Sequence, residues 1–154
     1  MSANTSKSRK RSGASSKSRP PKPLILFLDR SLGQKKVATA LRQAGVQVRL
    51  HDQYFAADAR DQDWLKEVGK RGWLVLTKDK RIRHRTIERR ALLKGKVGAF
   101  VLTAGNLHGD EMAEIFVKAL RAISRFAARN SPPFIARVTR GGSVTLLFRG
   151  DPPA

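Results

Sequence analysis

At 154 residues, with 32 Lys and Arg against 12 Asp and Glu, the chain carries a formal net charge of +20 and enough apolar residues for one domain core. It has no cysteine, which excludes disulfides and thiolate metal sites, and no stretch reaches the ~18 apolar residues of a membrane span. A field of that sign attracts polyanions, nucleic acid before anionic membrane.

Residues 1–23, "MSANTSKSRKRSGASSKSRPPKP", hold seven basic residues and no acid. Polar, like-charged and of low complexity, they predict a disordered basic arm able to hold a phosphate backbone loosely. They lack the apolar middle of a secretory signal, so a cytoplasmic protein is the expectation. Without them the chain still sets 25 basic residues against 12 acidic.

From Leu24 the pattern changes to short apolar runs alternating with amphipathic segments. "LILFL" (24–28) reads as a strand buried on both faces. Residues 34–44 put Val37, Leu41 and Ala44 on one helical face before Gly45, a C-cap. "VQVRL" (46–50) alternates as a strand, and a polar loop follows. Asp61 opens a helix with Trp64, Leu65 and Val68 inward, stopping near Gly69 to Gly72. "WLVLT" (73–77) is a second doubly buried strand, residues 84–94 a very basic helix, and "VGAFVLT" (97–103) another strand. Residues 109–128 keep Met112, Ile115, Phe116, Leu120, Ile123 and Phe126 on one stripe. After Pro132 and Pro133, "FIARVTRGGSVTLLF" reads as a hairpin turning at Gly141 and Gly142.

Alternating strands and helices imply an α/β domain over residues 24–150: a mostly parallel central sheet flanked by helices, with a C-terminal β-hairpin. Right-handed crossovers then bring every strand end and following helix start to one edge, where open α/β folds bind ligands. Eight of the 12 acids fall there: Asp29, Asp52, Asp58, Asp61, Asp63, Asp79, Asp110 and Glu111. Taken singly, Asp61 or Asp110 has an equally good reading as a helix cap, and Asp79 as a turn residue. Asp29 and Asp79 follow the two most buried strands directly. Facing carboxylates repel unless a cation intervenes, and a hard divalent ion with oxygen ligands, Mg²⁺ or Mn²⁺, resolves that conflict. Such an ion activates water and stabilises charge on a displaced phosphate. The expectation is that Asp29, Asp61 and Asp79 converge around one ion.

The run "LFLDRSLG…ALRQAGVQV…RDQDWLKEVGKRGWLVLTKDKRIRHR" resembles the PIN-like domains of the short prokaryotic type, in particular the VapC45-like branch of toxin nucleases, over residues 24–127. The resemblance implies a metal-dependent ribonuclease that hydrolyses RNA phosphodiester bonds with metal-activated water, paired with a small antitoxin. Asp29, Asp61 and Asp79 match the family's catalytic, metal-holding acids. Asp63 is a neighbour that spacing does not separate from Asp61, and Thr77 matches the hydroxyl that accompanies the third acid. Asn106, Asp110 and Glu111 are candidates for a fourth position. Arg30, Lys35, Lys36, Lys78, Lys80, Arg81, Arg83 and Arg85 would ring the same edge as RNA-phosphate contacts. His84 reads as a surface or RNA-facing residue, His51 and His108 take no role, and Trp64 and Trp73 belong to the core.

Other nucleotide chemistries lack their motifs. There is no G-x-x-x-x-G-K-[ST], "DRSLGQ" offers one of the three glycines of a dinucleotide site, and Ser31 stands where a phosphoaspartate hydrolase needs a second acid. The rival reading is a non-catalytic PIN-like RNA-binding protein, with the same fold and charge.

Overall fold

The computed structural model describes residues 24–33, 35–79 and 86–149; the basic arm and Lys80 to Arg85 lie outside the described residues. Along the chain run β1 (Ile25–Leu28), a 3₁₀ turn (Arg30–Leu32), α1 (Lys36–Gln43), β2 (Gln47–Leu50), α2 (His51–Tyr54), α3 (Asp61–Arg71) and β3 (Leu74–Thr77). Then come α4 (Thr86–Lys94), β4 (Gly98–Leu102), α5 (Gly109–Arg129), β5 (Phe134–Val138) and β6 (Val144–Arg149). The six strands form one sheet in the order β2-β1-β3-β4-β5-β6. Every pairing is parallel except β5 with β6, the terminal hairpin, which turns through Gly142 at φ 88°.

Alternation along the strands sorts the core into two layers. Leu26, Leu28, Leu74, Leu76, Phe100 and Leu102 face α1 and α5, meeting Val37, Leu41, Phe116 and Ile123. Phe27, Val75, Ala99 and Val101 face the other way, meeting Trp64, Leu65 and Val68 of α3 and Leu92 of α4. With helices on both faces, the central strands β1, β3 and β4 are almost wholly apolar, whereas the edge strand β2 alternates with Gln47 and Arg49. Trp64 and Trp73 are core residues, as their positions predict.

Three helices pass into the next strand through one kind of C-cap. Val46 N–H donates to Leu41 O after α1, Trp73 to Val68 O after α3, and Val97 to Leu92 O after α4. Gly45 (φ 93°), Gly72 (φ 73°) and Lys96 (φ 58°) make the left-handed step. α3 ends at Arg71 with Gly72 as its C-cap, within the span the sequence suggested; Gly69 lies inside the helix, where α3 packs on α4, its absent Cβ leaving room for the Gly95 carbonyl.

The strand order makes a switch point. From β1 the chain moves outward to β2, then returns across β1 to β3 and continues the other way. The crevice outside the carboxyl ends of β1 and β3 is where such sheets receive ligands.

Candidate active site

The site starts with "DRSLG", just past β1. Asp29 N–H donates to Leu76 O at 3.0 Å, continuing the β1–β3 ladder one residue beyond the strand and pinning the Asp29 backbone. Leu32 then drops into the core, and the 3₁₀ turn this requires is closed by Leu32 N–H to Asp29 O at 3.0 Å. Gly33, at φ 78°, leads the chain away. The turn brings Ser31 Oγ back to Asp29 Oδ2 at 2.9 Å.

From β3 comes the second support. Thr77, fully buried, donates its hydroxyl to the same Asp29 Oδ2 at 2.7 Å. Its oxygen accepts Asp79 N–H at 3.0 Å, while Ser31 Oγ accepts Lys78 N–H at 3.1 Å. With both hydroxyl protons given to Asp29, the 3.2 Å approach between Ser31 Oγ and Thr77 Oγ1 has no proton left to share. Two hydroxyls thus hold the first carboxylate and fix the backbone that carries Lys78 and Asp79.

The remaining acid, Asp61, opens α3. Asp61 Oδ1 accepts the indole N–H of Trp64, one turn on, at 3.0 Å. Asp63 turns instead to Arg60, at 3.0 Å on the surface. Asp29, Asp61 and Asp79 all line one cavity of ≈ 560 Å³, together with Arg30, Ser31, His51, Ala57, Ala59, Trp64 and Lys78. Arg30 reaches over it, bonding Ala57 O at 2.9 Å and pairing with Asp52 at 3.5 Å.

The sequence pattern of the PIN like domain family matches residues 24–104, from the start of β1 past β4. The chain belongs to the PIN-like domain family. It is 32% identical over 126 residues to "Putative ribonuclease VapC45" of Mycobacterium tuberculosis (strain ATCC 25618 / H37Rv), covering 79% of this chain and 91% of that one. No solved structure matches it.

In this PIN-like domain the remaining candidates sit apart from the three-acid cavity. Asn106, at φ 55°, lines an adjoining cleft of ≈ 290 Å³ that also touches Lys78. Asp110 pairs with Lys36 at 3.3 Å beside a third cavity, which Lys35 and Lys36 line. Glu111 accepts His108 N–H at 2.9 Å, the work of a helix cap. Lys80, Arg81, Arg83, Arg85 and His84 fall outside the described residues.

Two cavity residues escaped the sequence reading. Ser31 is a second hydroxyl on Asp29, legible only as a small residue two positions after the acid. His51 is buried at 3% exposure and lines the cavity; its signal was its position, first after β2 on the edge that gathers the acids.

The three acids offer only oxygen donors, which suit a hard divalent cation. Among the described residues, no three His, Cys, Asp or Glu side chains stand close enough to enclose an ion together. The three acids share a cavity rather than a closed cage. That arrangement fits a hydrated ion taken by one or two carboxylates directly, the usual manner of Mg²⁺.

Proposed function

We propose that this PIN-like domain is a divalent-metal-dependent endoribonuclease, the toxin of a toxin–antitoxin pair acting in the cytoplasm. The observation that carries the reading is the convergence of Asp29, Asp61 and Asp79, from three separate elements, on one cavity at the switch point. The name of its mycobacterial relative supports ribonuclease action, and the resemblance of the sequence to toxin nucleases is the ground for a small antitoxin partner.

In this reading one or two of Asp29, Asp61 and Asp79 would hold a hydrated Mg²⁺ or Mn²⁺ directly, and the ion when bound would supply electrostatic activation for hydrolysis of a phosphodiester. Thr77 and Ser31 keep Asp29 in one rotamer, and Trp64 does the same for Asp61. Arg30 and Lys78, lining the cavity beside the acids, draw the RNA phosphates toward a pocket that carboxylates alone would repel. Lys80, Arg81, Arg83 and Arg85 extend that basic run along the sequence, and the +20 charge recruits RNA from a distance.

The test is cleavage of single-stranded RNA by the full chain in Mn²⁺ or Mg²⁺, with and without EDTA, beside Asp79→Asn. Cleavage that needs the ion, and is lost in the variant while RNA binding is equal or tighter, supports the proposal. Cleavage by Asp79→Asn at the parent rate overturns it, and binding without cleavage by the parent leaves the RNA-binding reading in its place.

A further inference from the structure

His51 presents a problem that the three acids do not explain. Its ring is enclosed by those of Phe27, Phe55 and Trp64, at centroid distances of 6.0, 5.5 and 5.3 Å. Yet its Nδ1 is buried without a hydrogen-bond partner. An apolar ring of similar shape would avoid that desolvation cost, so the imidazole calls for a reason.

Asp52 Oδ1 stands 3.7 Å from Nδ1, beyond hydrogen-bonding distance but near enough to favour the ring proton on that nitrogen. Asp52 is itself held by Arg30 at 3.5 Å. With the proton on Nδ1, neutral imidazole carries its lone pair on Nε2. Since Nδ1 is sealed and His51 lines the cavity, the edge it offers a ligand is the Nε2 edge. That edge is an acceptor.

Phosphate oxygens only accept, so an acceptor does nothing for them. The donor that RNA brings beside every phosphate is the ribose 2′-hydroxyl, which DNA lacks. Base amino groups donate too, but both polymers carry them. We infer that His51 Nε2 accepts a hydrogen bond from the 2′-hydroxyl of a nucleotide in the cavity, and so sets the preference of the site for RNA over DNA. The inference rests on the ribonuclease reading and names a specificity residue within it.

The experiment compares parent, His51→Phe and His51→Gln as full chains. The probes are one oligonucleotide made as RNA, as DNA, and as a series of single 2′-deoxy substitutions. Cleavage is followed in Mn²⁺ and binding in EDTA, with a thermal melt of each protein. Phenylalanine fills the ring-lined space without a nitrogen, and its melt is expected at or above the parent's. Its RNA-to-DNA ratio falls about 3- to 10-fold, the worth of one neutral hydrogen bond, while DNA binding is unchanged. One 2′-deoxy position that weakens the parent ceases to matter in His51→Phe. Glutamine, whose amide oxygen accepts near the position of Nε2, restores part of the ratio.

A folded His51→Phe with the parent's ratio overturns the inference and leaves the ribonuclease reading standing. So does a parent indifferent to every single 2′-deoxy substitution. If His51→Phe does not fold, the parent series and His51→Gln decide: sensitivity to one 2′-deoxy position, kept by Gln, supports the inference, and its loss in Gln overturns it. A parent that neither binds nor cleaves RNA overturns the ribonuclease reading, and this inference with it.

Discussion

Thr77 and Asp29, 48 residues apart in the chain, are joined by a 2.7 Å hydrogen bond from the buried hydroxyl to Oδ2. Thr77 Oγ1 in turn accepts Asp79 N–H at 3.0 Å, so one threonine ties two of the three acids to the sheet. Replacing it with valine keeps the shape and the strand preference, but withdraws the donor from Asp29 and orphans the Asp79 amide. Thr77→Val is expected to lose about 1–3 kcal/mol of stability and, on the ribonuclease reading, about 10- to 100-fold in cleavage. Thr77→Ser keeps the hydroxyl and most of both. Denaturant melts and Mn²⁺-dependent cleavage measure the two effects separately.

Trp64 plays the matching part for Asp61, with its ring in the core and its indole N–H on the carboxylate at 3.0 Å. Trp64→Phe retains an aromatic ring and removes the donor. Divalent-ion affinity in the parent should exceed that of the variant by about tenfold or more, the usual cost of losing a support behind a metal-binding group. Isothermal titration with Mn²⁺ reads this directly, and equal affinities would show that Asp61 needs no such support.

Much of this arrangement was legible before the fold was seen. Strands buried on both faces read as unbroken apolar runs, and right-handed crossovers send their ends to one edge, so Asp29 and Asp79 could be paired across the sheet from "LFLD" and "LTKD" alone. Asp61 and Asp63 could not be separated, because both lie in the first turn of α3 and the choice depends on partners: Trp64 takes one, Arg60 the other. The four-residue α2 was missed because one turn shows no period, and His51 was passed over because its burial comes from Phe27 and Trp64, distant in sequence. The sequence also gave no sign that three acids at one edge would share a cavity without closing into a cage.

Gly69 shows a local signal pointing the wrong way. Alanine in a helix interior normally gains about 1 kcal/mol over glycine. Here the added methyl meets the Gly95 carbonyl, backbone that cannot swing aside, with Val97 close by. Overpacking costs of about 1–3 kcal/mol outweigh the propensity gain. Gly69→Ala should therefore melt below the parent; a higher melting temperature would mean that α3 and α4 can move apart freely.

The Glu67 carboxyl lies below the usual carboxylate range, chiefly because Arg71 donates a hydrogen bond to it at 2.8 Å. The same guanidinium lies over Trp73 and Tyr54, with centroid distances of 5.0 and 5.7 Å. A depressed folded pKa stabilises the protein above the unfolded value, here 4.5, and that contribution is lost as the pH falls through the folded value. Stability should thus decline across acid pH partly through this group. Glu67→Gln should lower the neutral-pH melting temperature slightly and flatten that part of the curve. Melts from neutral pH down to about pH 3 test the sign, and parallel curves would assign the acid loss to other carboxylates.

Lys78 is the cation best placed to report how RNA reaches the acids. It lines the three-acid cavity, the cleft with Asn106 and the cavity beside Lys36, so it borders three openings among the described residues of this edge. Its backbone N–H is held by Ser31, which leaves the ammonium as the variable part. If that ammonium neutralises one phosphate, Lys78→Ala should weaken RNA binding regardless of sequence and reduce the slope of log K against log salt by about 0.7 to 1, one counterion's worth. Binding of single-stranded RNA in EDTA from about 50 to 200 mM salt separates this from a loss of shape, which would shift affinity and leave the slope intact. An unchanged slope would remove Lys78 from the phosphate path and leave Arg30 as the described cation on the cavity wall.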